Sequence, residues 1–279
     1  MPIRKPILTE IAAKTYLINE FGLDVMFLLK GRDRALVIDT GTGYFQLRET
    51  VEALLGGMPY EVALTHGHTD HAGGMGVFDR VWLHPADFEL ARQITPESRR
   101  RYGDMLKGVL GDPDVWAYSG DQVLESPVPE LLPLEEGHRF ELGGRTVETI
   151  ATPGHTAGSV SFIDDASRIL FSGDAANSNL LLAFRGAPVR TALEGLLKLK
   201  AQEGRFDRNY NGHIGYSGFV DCTAQPDGML DDCIAALRGI LDGSLPQVKG
   251  ESRFSGTAAA VAFGHTRVTY DPDYLEAEA

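Results

Sequence analysis

The sequence predicts an α/β protein. Short apolar or β-branched runs alternate with amphipathic helical segments, glycine-containing turns separate them, and residues with metal-binding chemistry stand just after several of the strand-like runs. In the first third, Thr15–Ile18, Val25–Lys30 and Ala35–Asp39 read as strands, separated by Asn-Glu-Phe-Gly and Gly-Arg-Asp, and so form a meander. Asp39-Thr40-Gly41-Thr42-Gly43 breaks this pattern. Phe45, Leu47, Val51, Leu54 and Leu55 then take a helical spacing that ends at Gly56-Gly57, which predicts a helix crossing over to a strand at Tyr60–Thr65. Another short strand follows at Val81–His84.

From Pro85 to Pro133 the pattern changes to polar helical segments, Ala86–Gln93 and Pro96–Val109, and then to a stretch punctuated by Pro113, Pro127 and Pro129; it reads as a helical insertion over 85–133. Strand patterns resume at Arg139–Leu142, Thr146–Ala151, Ser159–Ile163 and Ile169–Ser172. Two amphipathic helices follow, one carrying Leu193, Leu196 and Leu197, the other Leu230, Cys233, Ile234 and Leu237. Their apolar faces are read as core. Ala259–Phe263 and Thr266–Tyr270 close the chain as a hairpin around Gly264-His265.

Composition narrows the functional classes. With 279 residues, 43% hydrophobic and 23% charged, the chain can bury a sizeable core. Asp and Glu outnumber Lys and Arg by 39 to 26, and no run of five or more basic residues appears, which counts against nucleic acid as partner. The longest apolar runs, Leu180–Phe184 and Ala258–Phe263, fall far short of the roughly 18 residues of a membrane helix, so no membrane partner is expected. The N-terminus, MPIRKPILTE, lacks the apolar stretch of a secretory signal, and the two cysteines, Cys222 and Cys233, suggest no disulfide framework. A soluble, cytoplasmic protein is the expectation.

The segment Thr65-His66-Gly67-His68-Thr69-Asp70-His71-Ala72-Gly73-Gly74 places three imidazoles and a carboxylate within six positions. In a continuous strand His66, His68 and Asp70 face one side and His71 the other, and a helix does not gather all four; an irregular loop, with glycines granting unusual dihedrals, is needed to turn them to one centre. Imidazole and carboxylate together suit zinc, iron or manganese, and the absence of a nearby cysteine excludes a thiolate-based structural zinc site. Three further candidates, His155, Asp174 and His213, each follow a strand-like run and a glycine. His84, His138 and His265 lie outside this pattern.

The His-x-His-x-Asp-His segment followed in order by His155, Asp174 and His213 resembles the metallo-β-lactamase superfamily from about Thr15 to Tyr270. The resemblance implies a four-layer αβ/βα sandwich with ligand loops at one edge of two facing sheets. It also implies a single domain over 1–279, since one site draws on residues from 66 to 213. It assigns His66, His68 and His155 to one divalent ion, Asp70, His71 and His213 to a second, and Asp174 to the bridge between them, with zinc the expected metal and iron or manganese compatible. Asp39 matches the family's acidic residue at a strand end and is expected to support a ligand.

The implied chemistry is attack of a metal-bridging hydroxide on the carbonyl of an ester, thioester or lactone, with a small-molecule acyl substrate and with Asp70 orienting the nucleophile. Asp174 makes the site resemble glyoxalase II and lactone hydrolases more than true β-lactamases. Lactonases of this kind carry a tyrosine three positions after the bridging aspartate, where this chain has Asn177; Asn177 or Tyr216 is the expected substitute as oxyanion donor. Two alternatives share the ligand pattern: an iron-dependent oxidoreductase resembling persulfide dioxygenases, and a non-catalytic metal-binding member.

Overall fold

In the first strands successive side chains are apolar on both sides of the backbone, so each strand needs cover on two faces. The computed structural model, which describes residues 6–20, 24–110, 123, 127–184, 186–213, 223–248 and 258–276, shows what supplies it. Strands β1 (Ile7–Ala12), β2 (Thr15–Glu20), β3 (Asp24–Lys30) and β4 (Ala35–Ile38) are an antiparallel meander. Helix α1 (Leu47–Leu55) crosses over to β5 (Tyr60–Ala63), and stops where Gly56 adopts a left-handed conformation, φ 60°, and returns its N–H to Glu52 O. The short helix α2 (Thr69–Ala72) precedes β6 (Arg80–Leu83), and α3 (Phe88–Arg92) and α4 (Pro96–Leu110) precede β7 (Glu130–Pro133). Strands β4 to β7 run parallel, and all seven lie in chain order in one sheet.

The second half begins with β8 (Arg139–Glu141), β9 (Thr146–Ala151), β10 (Val160–Asp164), β11 (Ile169–Phe171) and β12 (Asn179–Leu182). Helix α5 (Val189–Ala201), β13 (Arg208–Tyr210), α6 (Met229–Leu241), β14 (Ala259–Phe263) and β15 (Thr266–Tyr270) complete it. Five of these strands form a sheet of order β13-β11-β10-β9-β8, and β12-β15-β14 form a three-stranded sheet.

Period-two alternation sorts the side chains into layers. Leu17, Phe27, Leu29, Leu36 and Ile38 face the second sheet and pack with Phe140, Val147, Phe162 and Phe171. Their neighbours Ile18, Met26, Leu28 and Val37 face the other way and pack with Leu47, Val51 and Leu55 of α1. Beyond the second sheet, Ile150, Ile163 and Leu170 lie in a core with Leu193, Leu196 and Leu199 of α5 and Cys233, Ile234 and Leu237 of α6. Each large side chain so buried contributes about 1.5–3 kcal/mol. The result is the α/β/β/α order of a four-layer sandwich.

Strands β1, β7 and β12 depart from the sequence reading, which passed over β12 within the apolar run Leu180–Phe184. Glu130–Pro133 falls within the insertion expected over 85–133, yet it is β7, paired in parallel with β6 from Arg80↔Glu130 to Leu83↔Pro133. Its one proline, Pro133, is tolerated because β7 is an edge strand, with one side free of ladder bonds. At the opposite edge, β1 pairs with β2 although Ile7–Glu10 are exposed, so no alternation marks it.

Candidate metal centre

The strand directions bring the ligand candidates together. Strands β4 and β5 are parallel, and β9, β11 and β13 share one direction because β10 runs antiparallel between β9 and β11 while β13 pairs in parallel with β11. Asp39 directly follows β4, the His66–His71 segment follows β5, and His155, Asp174 and His213 follow β9, β11 and β13. The two sheets are tied at this end by Val25 N, which donates to Gly212 O at 3.0 Å.

Within the motif the backbone changes character midway. His68 is extended, φ −73° and ψ 158°, and directly precedes α2, whose first turn carries Asp70 and His71. Extended backbone therefore spaces His66 and His68, and helical rotation redirects Asp70 and His71. Gly67 keeps an ordinary φ, so its contribution is room rather than an unusual dihedral: a Cβ there would lie 3.0 Å from Asp87 O. Gly212 has the same use, since a Cβ on it would lie 2.3 Å from His71 Cε1.

Three donor sets converge. His66, His68 and His155 form one, His66, His71 and Asp174 a second, and Asp70, His71 and His213 a third, with the ligand atoms of each set within 4.8 Å of one another. His68 Nδ1 lies 3.1 Å from His66 Nε2 and 2.8 Å from His155 Nε2, and Asp174 carboxylate oxygens lie 3.4 Å from His155 Nε2 and 3.1 Å from His213 Nε2. All seven predicted ligands are thus brought to one place.

Supporting contacts leave specific nitrogens facing the centre. His155 Nδ1 donates to Leu181 O at 2.7 Å, which points the lone pair of Nε2 inward. His71 Nδ1 lies 2.9 Å from Asp39 Oδ2, and the same carboxylate accepts Thr65 N at 2.7 Å and Thr65 Oγ1 at 2.8 Å. Asp39 holds this position with φ 63°, a left-handed conformation that aspartate tolerates better than most side chains. Phe184 closes the flank, its ring 5.1 Å from that of His68 and 5.3 Å from that of His155.

Burial sets the electrostatics. Desolvation and neighbouring imidazoles push His66 well below its ordinary pKa and His68 down to about 3, so both are neutral donors. Burial also disfavours charge on His71, but Asp39, Asp70 and Asp174 outweigh it and lift His71 to about 9. Asp174 is held well below the carboxylate range: burial opposes its ionisation, and His213, His155 and His71 overcome that. His71 Nε2 and Asp174 Oδ1 are buried without a hydrogen-bond partner among the described residues. Such atoms, buried and aimed at a cluster of nitrogen and oxygen donors, fit a divalent cation.

Other expected residues fare differently. Asn177 is 1% exposed, its Oδ1 accepts Asn179 N at 2.9 Å, and its carbonyl accepts Thr266 Oγ1 and Cys233 Sγ. Its side-chain oxygen thus caps the turn into β12. Tyr216 lies outside the described residues. The cysteine that is described, Cys233, is buried away from the site, and desolvation pushes its thiol up to about 11.

Sequence reasoning passed over Asp24, Asp87 and Tyr102. Asp24, fully buried, lies 3.7 Å from His213 Nδ1 and accepts Thr42 Oγ1 at 2.6 Å. Asp87, just before α3, accepts Gly67 N at 2.9 Å, Thr156 Oγ1 at 2.6 Å and Gly158 N at 2.8 Å. It thereby joins the His66–His68 loop to the His155 loop. Tyr102 reaches the centre from α4, its hydroxyl 2.9 Å from Asp70 Oδ2 and 3.2 Å from Asp24 Oδ1.

An αβ/βα sandwich whose strand ends gather a histidine–aspartate cluster defines a class of metal-centre proteins. The model of the metallo-beta-lactamase superfamily matches residues 21–203, and the chain belongs to that superfamily, whose members generally bind divalent metals. Among its relatives is the acyl-coenzyme A thioesterase MBLAC2 of Homo sapiens, 32% identical over 170 residues that cover 56% of this chain and 60% of the relative. Another is the atrochrysone carboxyl ACP thioesterase dmxR1 of a Cryptosporiopsis species, 26% identical over 83% of this chain and 60% of that protein. The chain therefore spans about 60% of the length of these curated relatives. In fold it is similar to a metallo-beta-lactamase family protein from Thermus thermophilus, with TM-score 0.57 and 24% identity over 85% of this chain and 83% of that one.

Proposed function

We propose that this chain is a metal-dependent hydrolase of acyl bonds, acting on esters, thioesters or lactones of small molecules, with thioesters foremost. The observation that carries the reading is the convergence of seven donor residues into overlapping three-ligand sets, in a chain whose relatives are named thioesterases. In this reading His66, His68 and His155 hold one divalent ion, Asp70, His71 and His213 a second, and Asp174 lies between them. Zinc suits this nitrogen and oxygen donor set, and iron and manganese are compatible with it. When bound, such ions supply a hydroxide nucleophile at neutral pH and polarise a carbonyl.

The chain's own residues do the remaining work. Asp39 and Leu181 O orient His71 and His155. Phe184 gives the first set an apolar wall that excludes water from the side of His68 and His155. Asp70, on the first turn of α2, is the carboxylate assigned to orient the attacking water and take up its proton. An acidic chain, net charge −13, suits a small acyl substrate better than a nucleic acid, and a buried free thiol at Cys233 suits the cytoplasm.

The test is a panel of acyl-CoA thioesters, carboxylic esters, lactones, β-lactams and phosphodiesters offered to protein loaded with each metal, beside a metal-stripped control. Thioester turnover that disappears on stripping, with kcat/KM about 100-fold above that for β-lactams and phosphodiesters, is expected; about 2.7 kcal/mol of transition-state discrimination corresponds to that ratio. A phosphodiester or β-lactam preferred by a similar factor, or O₂-dependent turnover of a persulfide, overturns the reading.

A further inference from the structure

Helix α4 sends one side chain into the centre. The Tyr102 hydroxyl lies 2.9 Å from Asp70 Oδ2, and that same oxygen lies 3.9 Å from His71 Nε2 and 3.8 Å from His213 Nε2. Phenol and two imidazoles thus converge on a single carboxylate oxygen. Such an oxygen has two lone-pair sites, and a phenol has one proton to give. Asp24 Oδ1, at 3.2 Å, is the more distant of the two carboxylates beside the phenol, and its other oxygen already accepts Thr42 Oγ1 at 2.6 Å.

The helix that carries Tyr102 is firmly mounted. Arg99, three residues earlier and therefore on the same face, is 5% exposed and donates from Nε to Thr42 O at 2.7 Å and from Nη2 to Gly43 O. Tyr44 donates its hydroxyl to Arg99 O. The loop receiving these bonds is itself fixed, since Glu20 accepts Thr42 N and Tyr44 N at 2.6 Å each. Tyr102 therefore reaches Asp70 from a rigid element, as a ligand-orienting group must.

We propose that Tyr102 is a positioning residue for the Asp70–His71–His213 half of the centre, and that α4 is its mount. It donates its proton to Asp70 Oδ2, leaves that oxygen's second lone pair for the cation, and holds Asp70 in the rotamer that faces His71 and His213. By standing between Asp24 and Asp70 it also keeps two buried carboxylates from opposing one another directly. This assignment rests on the two-ion reading given above and adds to it the residue that orients one ion's carboxylate ligand.

The experiment compares wild type, Tyr102→Phe and Tyr44→Phe. Each metal-free protein is titrated with Co²⁺ and with Zn²⁺ against a chelator of known affinity, with cobalt absorption and metal-free melting temperature recorded in parallel. Tyr44→Phe removes a hydroxyl that anchors α4 through Arg99 O, so it calibrates any effect of loosening the helix. In Tyr102→Phe one ion should bind as in wild type and the other about 10–100-fold more weakly, the loss typical of an outer partner to a metal ligand, with an altered cobalt spectrum for that equivalent. Tyr44→Phe should bind both ions as wild type does. Unchanged affinity for both ions in Tyr102→Phe, equal weakening of both, or the same pattern in Tyr44→Phe overturns the proposal. Wild type that takes up a single ion removes the two-ion reading and this assignment together, whereas a normal Tyr102→Phe beside a two-ion wild type removes the assignment alone.

Discussion

Single carboxylates hold this centre in shape, and each does so by joining segments that are distant in sequence. Asp87 accepts from the backbone on the first ligand loop and from Thr156 and Gly158 on the loop after β9. Replacing it by alanine removes this acceptor from the buried N–H groups of Gly67 and Gly158 and leaves Thr156 Oγ1 with Ser159 Oγ at 2.8 Å. With hydrogen bonds to charged groups worth about 1.5–3 kcal/mol each and partial relaxation of the loops, Asp87→Ala should cost about 3–5 kcal/mol in urea unfolding. A loss below about 1 kcal/mol would show that solvent replaces all three bonds. Asp174 offers the complementary case. It lies against His155, His71 and His213 rather than in the apolar core, so Asp174→Ala should keep the fold, as read by circular dichroism, while turnover falls by more than about 100-fold, beyond the loss usual for an outer-sphere partner. A variant with two bound ions and wild-type turnover would remove Asp174 from the bridging position.

At the scale of elements, legibility followed local pattern. Strands β2 to β5 and the stop of α1 at Gly56 were readable because alternation, helical spacing and a left-handed glycine are local signals. Strand β1 was not, since Ile7–Glu10 are exposed and only pairing with β2 makes them a strand; β7 was hidden by the prolines around it. The ligands were readable because six positions hold four of them and glycine precedes the other three. Asp24, Asp87 and Tyr102 are ordinary residues in sequence, and their proximity to the centre arises from packing of α3, α4 and β3 against the ligand loops. Helix α4 shows the difference best. The run Arg99, Arg100, Arg101 looks uniform, yet Arg99 is buried on Thr42 and Gly43 carbonyls while Arg101 is exposed. Arg99→Ala should therefore lower unfolding free energy by about 2–3 kcal/mol, and Arg101→Ala should change it by less than about 0.5 kcal/mol. Equal losses for the two would mean that α4 is not docked through Arg99.

At the scale of the whole molecule, the candidate ligands come from both sheets: Asp70 and His71 follow β5 of the first, and His155, Asp174 and His213 follow strands of the second. A cation held among them is a cross-link between the two halves of the sandwich. It also offsets the cost of gathering Asp24, Asp70 and Asp174 with several imidazoles in a buried space, a cost that the metal-free protein meets only in part, through the proton that the surrounding carboxylates favour on His71. Metal binding should therefore appear as folding stability. A ligand bound only by the native state and present at 100 times its Kd adds about 2.7 kcal/mol per site, so stripping the metals should lower the melting temperature and readdition should restore it. Seven donor residues exceed the four that one zinc ordinarily takes, so elemental analysis of the reloaded protein should find close to two ions per chain. Mutants separate the contributions: His155→Ala and His213→Ala should each retain one ion and part of the stabilisation, because each belongs to one half of the centre. Saturation at one ion per chain with excess zinc, iron and manganese alike, or a melting temperature indifferent to stripping, would show that the cluster does not join the sheets through two cations.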